Sequence, residues 1–271
     1  DTKHAECVKV TYSLDFISLK ELLEEFFKII EEFLKLNERG YVESISKEKN
    51  SCGLTLEHLL GKEPDSMFFP DYNGVELKTT TRFSRYNINL FSLTFDGPSL
   101  FESNYMLETY GKIDNLLPQK KTLYANLKLN QKVLVNEKYY FELKIDYEDE
   151  KIFIKIYDIN MNFIEDRCFI YFDTIKSRAQ VKLGKLALIY ASKKKTEDNL
   201  FYRYYKIKCL KYKVFEQFLK SLEDETVKLD IMLRSVKNED KVSKRGNKNM
   251  NFSLVKTRIN RLFDNVFTYE D

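Results

Sequence analysis

The sequence predicts an α/β (α+β) fold: a mixed central sheet flanked by helices, with a smaller lobe attached. Three patterns carry this reading: apolar stripes at helical spacing in three segments, alternating strand-like runs through the middle, and a strand–strand–helix–strand order in the last third. With 271 residues, 43% hydrophobic and 32% charged, the chain is long enough to bury a sizeable core and has the balance of a soluble globular protein. Only 8 Gly and 4 Pro leave little room for long linkers, so residues 1–271 are expected to form a single domain. No apolar run approaches the ~20 residues that span a bilayer. The N-terminus lacks the basic-then-apolar pattern of a secretory signal. No membrane partner and a cytoplasmic location are therefore expected.

The elements follow in order. Ser18-Leu19-Lys20-Glu21 has the form of a capping box. Leu19, Leu22, Leu23, Phe26, Ile30, Phe33 and Leu34 then make one helical stripe, which Arg39-Gly40 ends. A short helix fits Thr55–Leu60, with Gly61 as its stop. Phe68–Arg82 reads as a β-hairpin and Asn87–Thr94 as a further strand. Tyr139–Tyr147 and Lys151–Ile159 alternate around the acidic turn Glu148-Asp149-Glu150, a second hairpin. Leu186–Ser192 and Phe201–Cys209 are strands joined by Lys193–Asn199. Val214–Leu222 is an amphipathic helix, Val227–Leu233 a strand, Ser235–Asn249 a basic loop, and Asn251–Val255 the last strand.

Residue types narrow the chemistry. Cys7, Cys52, Cys168 and Cys209 are scattered without a CxxC pair, which fits buried thiols better than a zinc site or disulfide framework. With only His4 and His58, a histidine metal site or a Ser-His-Asp triad is hard to build, and His58 fits a helix-surface or packing residue better than a ligand. Hydrolytic chemistry must then rest on carboxylates and lysine.

Such a set lies in Pro70-Asp71-Tyr72-Asn73-Gly74-Val75-Glu76-Leu77-Lys78-Thr79. Asn-Gly between strand-like arms specifies a type I′ turn, whose two central residues both need φ > 0. That turn pairs Tyr72 with Val75 and sets Asp71 across from Glu76, with Cβ atoms about 5 Å apart. Lys78 shares the face of Glu76, while Val75 and Leu77 point the other way. Opposed carboxylates repel unless a cation lies between them, and hard oxygen ligands at this spacing suit Mg²⁺. A metal-activated water beside the Lys78 ammonium would then attack phosphorus. The tripeptide Glu-Leu-Lys alone is weak evidence. It recurs at Glu142-Leu143-Lys144 with no acid placed across an Asn-Gly turn, and that copy reads as structural.

Together with Gly53-Leu54-Thr55-Leu56-Glu57-His58-Leu59-Leu60-Gly61 and Asn89-Leu90-Phe91-Ser92, this segment resembles the PD-(D/E)xK nucleases. More narrowly it is similar to the MutH-like branch that includes the MvaI/BcnI-type restriction endonucleases. The order of elements from Leu186 to Leu233 is also similar, so the resemblance covers most of the chain beyond residue 50. It implies a restriction-endonuclease-like, monomeric fold in which a catalytic lobe and a DNA-recognition lobe grip double-stranded DNA. The catalytic lobe would span roughly residues 1–110 plus 180–225, a β-rich insertion 111–179, and a C-terminal recognition region 226–271. It implies Mg²⁺-dependent hydrolysis leaving 5′-phosphate ends, and a cognate DNA methyltransferase. Asp71 and Glu76 would be metal ligands, Lys78 the catalytic lysine, and Glu57 an accessory acid on the preceding helix.

Charge places the DNA surface. From Lys228 to Arg261 ten basic residues face three acids, a net +7 against +3 for the whole chain, which fits a phosphate-gripping surface. Within that segment Arg234, Lys244, Arg245, Asn247, Lys248, Asn249 and Arg258 are candidate DNA contacts; Arg and Asn suit bidentate contacts with guanine and adenine. The resemblance adds Asp230, although the acidic-x-Arg pair of the relatives reads Asp230-Ile231-Met232 here, with Arg only at Arg234. Arg82 and Arg85, just past Lys78, are further phosphate-contact candidates. The function that follows is a type II restriction endonuclease. A MutH-like nicking enzyme and a catalytically inactive DNA-binding module remain as alternatives.

Overall fold

The structure, a computed structural model, describes residues 16–62, 70–81, 84, 86–99, 102–115, 118, 120–236 and 249–271. The chain runs α1 (Phe16–Glu38), β1 (Val42–Glu43), α2 (Ser51–Leu59), β2 (Glu76–Thr81), β3 (Ile88–Leu93), α3 (Glu102–Tyr110), β4 (Lys112–Ile113) and β5 (Lys120–Leu127). Five strands follow: β6 (Lys132–Val135), β7 (Tyr139–Asp146), β8 (Lys151–Asp158), β9 (Phe163–Glu165) and β10 (Phe169–Tyr171). Next come α4 (Phe172–Leu183), β11 (Lys185–Lys195), β12 (Leu200–Tyr212) and α5 (Phe215–Glu223). The chain closes with β13 (Val227–Val236), β14 (Met250–Leu254), a 3₁₀ segment Lys256–Arg261 and β15 (Phe263–Glu270).

These elements form two compact units. The first comprises the described parts of Asp1–Ile88, Gln180–Lys213 and Leu262–Asp271; the second those of Asn89–Ala179 and Val214–Arg261. The division differs from the lobes drawn from sequence: Asn89–Tyr110 and Val214–Glu225 belong to the second unit, and Leu262–Asp271 to the first.

The first unit is built on a mixed sheet of order β1-β12-β11-β2, with β15 also on β12. Its axis is the long β11–β12 hairpin. β2 adds to β11 in parallel, with Glu76 beside Leu186 and Lys78 beside Leu188. β11 reads Leu-Ala-Leu-Ile-Tyr-Ala because it is covered on both faces, as parallel partners usually are; Leu186, Ala187, Leu188 and Ile189 are all buried. On one face Phe26, Ile29, Phe33 and Leu36 of α1 and Leu56 of α2 pack over Leu77, Ala187, Ile189 and Ala191. Each such side chain contributes about 1.5–3 kcal/mol by leaving water. Phe27, one residue off that stripe, stays 64% exposed. Leu77 therefore faces the helices, and its neighbours Glu76 and Lys78 face the opposite side of the sheet.

The second unit holds two sheets, one of order β10-β8-β7-β6 with β9 on β8, the other β3-β14-β13-β5-β4. The predicted β7–β8 hairpin is present, joining Asp146 to Lys151. Its acidic turn closes on the Asp146 side chain, which accepts the N–H groups of Glu148 and Asp149. Phe215, Phe218, Leu219 and Leu222 form the buried stripe of α5.

Several expectations need correction. The Phe68–Arg82 hairpin reduces, among the described residues, to one bridge between Tyr72 and Val75, because β2 spends its length beside β11 instead. α1 begins at Phe16 and α2 at Ser51, ahead of the predicted starts. The strand at Asn251–Val255 is followed by β15, so it is not the last. α3 and α4 had no sequence signal strong enough to announce them. In α4 the buried stripe is Ile175, Ala179 and Leu183, narrow and half made of small side chains.

Candidate active site

Two local rules deliver the side chains of the site. The first is the turn. Asn73 (φ 46°) and Gly74 (φ 80°) both adopt positive φ, and Tyr72 and Val75 exchange backbone hydrogen bonds of 2.9 and 2.8 Å, which is the expected type I′ geometry. Asp71 leaves the turn on one side and Glu76 starts β2 on the other. The Asp71 carboxylate accepts the Leu77 N–H at 3.0 Å, so it lies along the start of β2.

The second rule is the stop of α2. Gly61 takes φ +71°, its N–H donates to the carbonyl of His58 (3.0 Å), and the Lys62 N–H donates to that of Glu57 (2.9 Å). This is a Schellman closure, and it fixes where the residue after the glycine points. The Lys62 ammonium ends 2.7 Å from Asp71 Oδ1.

Glu76 is the most buried charged group of the set, its side chain 4% exposed. Its Oε1 accepts the Lys78 ammonium at 2.7 Å, and its Oε2 accepts Lys182, from the last turn of α4, at 3.1 Å. Burial pushes the Asp71 carboxyl up, but the Lys62 ammonium, the Leu77 N–H and the charge of Lys78 together hold it below the usual carboxylate range. Lys78 thus contacts one carboxylate and is felt by the other. The turn forms as expected and sets the Asp71 carboxylate on the Leu77 N–H at the head of β2, where Glu76 and Lys78 pair with each other. Lys62 and Lys182 were missed. The signal for Lys62 was its place directly after the helix-stopping Gly61; Lys182 comes from a helix that the sequence did not announce.

Two carboxylates and three ammonium groups leave the cluster one positive charge in excess, which suits a phosphodiester. Among the described residues no group of three or more His, Cys, Asp or Glu converges as a metal cage. A pair of carboxylates is nevertheless the donor set that suits Mg²⁺, which keeps several waters and takes phosphate oxygens as further ligands. The donor chemistry of Asp71 and Glu76 therefore fits a hard divalent cation.

The other predicted residues that the structure describes lie on several elements. Glu57 is half-buried in the last turn of α2, linked to Lys62 through its backbone carbonyl. His58 is exposed on the helix surface. Asp230 and Arg234 lie on β13 four residues apart, hence on one face, with Arg234 exposed and Asp230 accepting the Asn126 amide. Asn249 is exposed before β14, and Arg258 donates to the Asp224 carbonyl at the end of α5 (2.7 Å). Arg82, Arg85, Lys244, Arg245, Asn247 and Lys248 lie outside the described residues, as do His4, Cys7 and the side chains of the Ser18–Glu21 capping box. Cys52, Cys168 and Cys209 are buried free thiols.

No curated protein sequence matches the chain. Among solved structures, the fold is similar to that of "Restriction endonuclease MvaI-cognate DNA substrate complex", at 21% identity over 89% of this chain and 98% of that one, with a TM-score of 0.80. It is also similar to "Restriction endonuclease MvaI in the absence of DNA", at 21% identity over 94% and 98%, with a TM-score of 0.56. The model of the MvaI/BcnI restriction endonuclease family matches residues 30–263, and the chain belongs to that family.

Proposed function

We propose that this restriction endonuclease cuts both strands of duplex DNA at a short specific sequence, as a monomer, from the cluster around Asp71, Glu76 and Lys78. The observation that carries the reading is the placement of two carboxylates by one type I′ turn at the head of β2, with the Lys78 ammonium 2.7 Å from Glu76. Asp71 and Glu76 would hold Mg²⁺, which when bound supplies positive charge to the scissile phosphate and acidifies water. Lys78 shares the strand face of Glu76, and its ammonium would orient that water and favour its ionised form. Lys62 and Lys182 fix the carboxylates and keep the site positive, so that a phosphate is drawn in before the reaction. A cognate DNA methyltransferase would protect the host's own copies of the sequence.

The test is to incubate supercoiled plasmid and linear DNA with the protein and Mg²⁺, beside Asp71→Ala, and to sequence the ends. Discrete fragments that disappear in the variant are the expected result. Cleavage that persists in Asp71→Ala would move the active site elsewhere. Open circles in place of linear product would identify a nicking enzyme, and equal binding without cutting by either protein would leave a DNA-binding module.

A further inference from the structure

In the first unit, the sheet face that carries Glu76 and Lys78 continues onto two further strands. Parallel register sets Lys78 beside Leu188 of β11, and antiparallel register sets Leu188 beside Lys208 of β12. Residues in register point to the same side of a sheet, so Lys78, Leu188 and Lys208 form one row across it. The next row reads Thr80, Tyr190 and Lys206. Adjacent strands lie about 4.8 Å apart, which puts the backbone of Lys208 roughly 10 Å from that of Lys78.

The cations around Lys208 have counter-ions: Lys78 pairs with Glu76, Lys206 with Glu270, and Arg203 with Asp271. Lys208 is half-buried, yet among the described residues its ammonium makes no ion pair and no hydrogen bond. Its in-register neighbour Leu188 and its strand neighbour Leu210 are fully buried. Burial and the like charge of Lys206 push Lys208 below the usual lysine range, and Glu270 opposes part of that shift. Tyr190 lies on the diagonal from Lys208, where Cβ atoms are about 7–8 Å apart. It is half-buried, and among the described residues its hydroxyl has no hydrogen-bond partner either.

A structural role explains Lys208 poorly. An unpaired ammonium drawn partly out of water destabilises the fold, and an apolar side chain of the same length would cover this part of the sheet without that penalty. What lysine adds at the position is a positive charge with three open donors, beside an open phenol. That is the donor chemistry of a phosphodiester contact, since lysine and tyrosine are among the side chains that hold DNA phosphate oxygens. Nucleotides on one DNA strand rise about 3.4 Å each, so roughly 10 Å spans about three of them.

We propose that Lys208, with Tyr190 beside it, holds a phosphate of the bound duplex within about three nucleotides of the one that is cut. The three-nucleotide limit rests on the reading of Asp71, Glu76 and Lys78 as the site of the reaction; the phosphate contact itself does not. The test therefore reads binding apart from cleavage. Fluorescence anisotropy of a labelled duplex in Ca²⁺ is followed from about 50 to 200 mM NaCl for the wild type, Lys208→Met, Lys208→Arg and Lys211→Met. Lys211 is exposed and lies three residues further along β12, on the other side of the strand, so it controls for the loss of one charge. Circular dichroism confirms that each variant folds.

Lys208→Met is expected to weaken binding several-fold and to flatten the slope of log affinity against log salt by about 0.9, the mark of one lost phosphate contact. Lys208→Arg and Lys211→Met should keep the wild-type slope. Duplexes with single phosphates replaced by neutral methylphosphonates then locate the contact. The wild type should lose affinity at one position within about three nucleotides of the cut, and Lys208→Met should be indifferent to that same change. An unchanged slope in folded Lys208→Met would overturn the proposal, and so would equal losses in Lys208→Met and Lys211→Met, which would leave only net charge. A sensitive phosphate far from the cut would overturn its placement. If Lys208→Met flattens the slope in a protein that fails to cut with Mg²⁺, the phosphate contact stands and the nuclease reading of the cluster falls.

Discussion

The chain contains the same tripeptide twice on strands, and only one copy sits in a candidate site. Glu76-Leu77-Lys78 and Glu142-Leu143-Lys144 agree in backbone, in a buried central leucine, and in an internal ion pair of 2.7 Å in one and 2.9 Å in the other. Both glutamates are buried. They part at the second oxygen. Glu142 accepts the Tyr157 hydroxyl, a neutral donor from the next strand, whereas Glu76 accepts Lys182. Glu76 also follows the turn that delivers Asp71, and Asp71 brings Lys62. One copy is a closed pair with a phenol. The other is an open mixture of five charges. The motif is cheap because a strand always puts residues two apart on one face; the chemistry comes from what the turn and two helix ends add.

The sharpest break of this comparison is to disable each copy in turn. Lys78→Ala should reduce the specific cleavage rate by ~10²–10³-fold, the usual range for removing a positioned donor beside the reacting atoms. Lys144→Ala should leave the rate per folded molecule within about twofold. The measurement is single-turnover cleavage of a linear substrate, with folded fractions checked by circular dichroism. Equal losses in the two variants would sink the distinction between the copies.

A smaller effect separates the outer lysines. Lys182→Met and Lys62→Met remove groups that hold the carboxylates without being the reacting lysine, so each should cost roughly 10–100-fold in kcat/KM, as outer partners of a metal site do. Raised Mg²⁺ should not restore the full rate in either, because the carboxylate positions are also disturbed. Rates at the wild-type level would reduce both lysines to charge ballast.

The comparison also explains what could be read from the sequence. Asp71, Glu76 and Lys78 were legible because Asn73-Gly74 has few conformations open to it, and a type I′ turn fixes which residues face each other. α1, α5 and the β7–β8 hairpin were legible for the similar reason that period and turn chemistry agree over many residues. The parallel pairing of β2 with β11 was not, since nothing local to either strand names a partner more than a hundred residues away. Lys182 stayed hidden for the same cause, compounded by the narrow Ile175–Ala179–Leu183 stripe of its helix. Local rules gave the carboxylates, and long-range packing gave the ammonium that completes them.

The buried thiols supply a contrast of another kind. Burial pushes the Cys52 thiol up to about 11, despite hydrogen bonds to Thr79 and Tyr204 that oppose the shift, and burial raises Cys168 and Cys209 further. At pH 8 only about one Cys52 in a thousand is thiolate. Native protein should therefore show no alkylation of these three positions over an hour at pH 8, while denatured protein reacts at all of them. Peptide mapping by mass spectrometry reads the outcome, and fast native labelling of Cys52 would show that α2 lifts off the sheet.

The finest test concerns two glycines that stop two helices. Gly40 after α1 and Gly61 after α2 have nearly the same φ, +68° and +71°, and a methyl group added to either meets nothing within 4 Å. Substitution by alanine thus carries only the backbone cost of the left-handed conformation, about 1–2 kcal/mol at each position. Gly40→Ala and Gly61→Ala should consequently lower the denaturation midpoint by similar amounts. Their activities should differ, because the residue after Gly61 is Lys62, whose ammonium contacts Asp71, whereas the stop at Gly40 leads only to the short strand β1. Gly61→Ala is expected to slow cleavage several-fold at a temperature where both variants are fully folded, and Gly40→Ala to leave it unchanged. If the two lose activity together, the Schellman closure of α2 positions nothing that the reaction uses, and Lys62 reaches Asp71 by virtue of its own flexible stem.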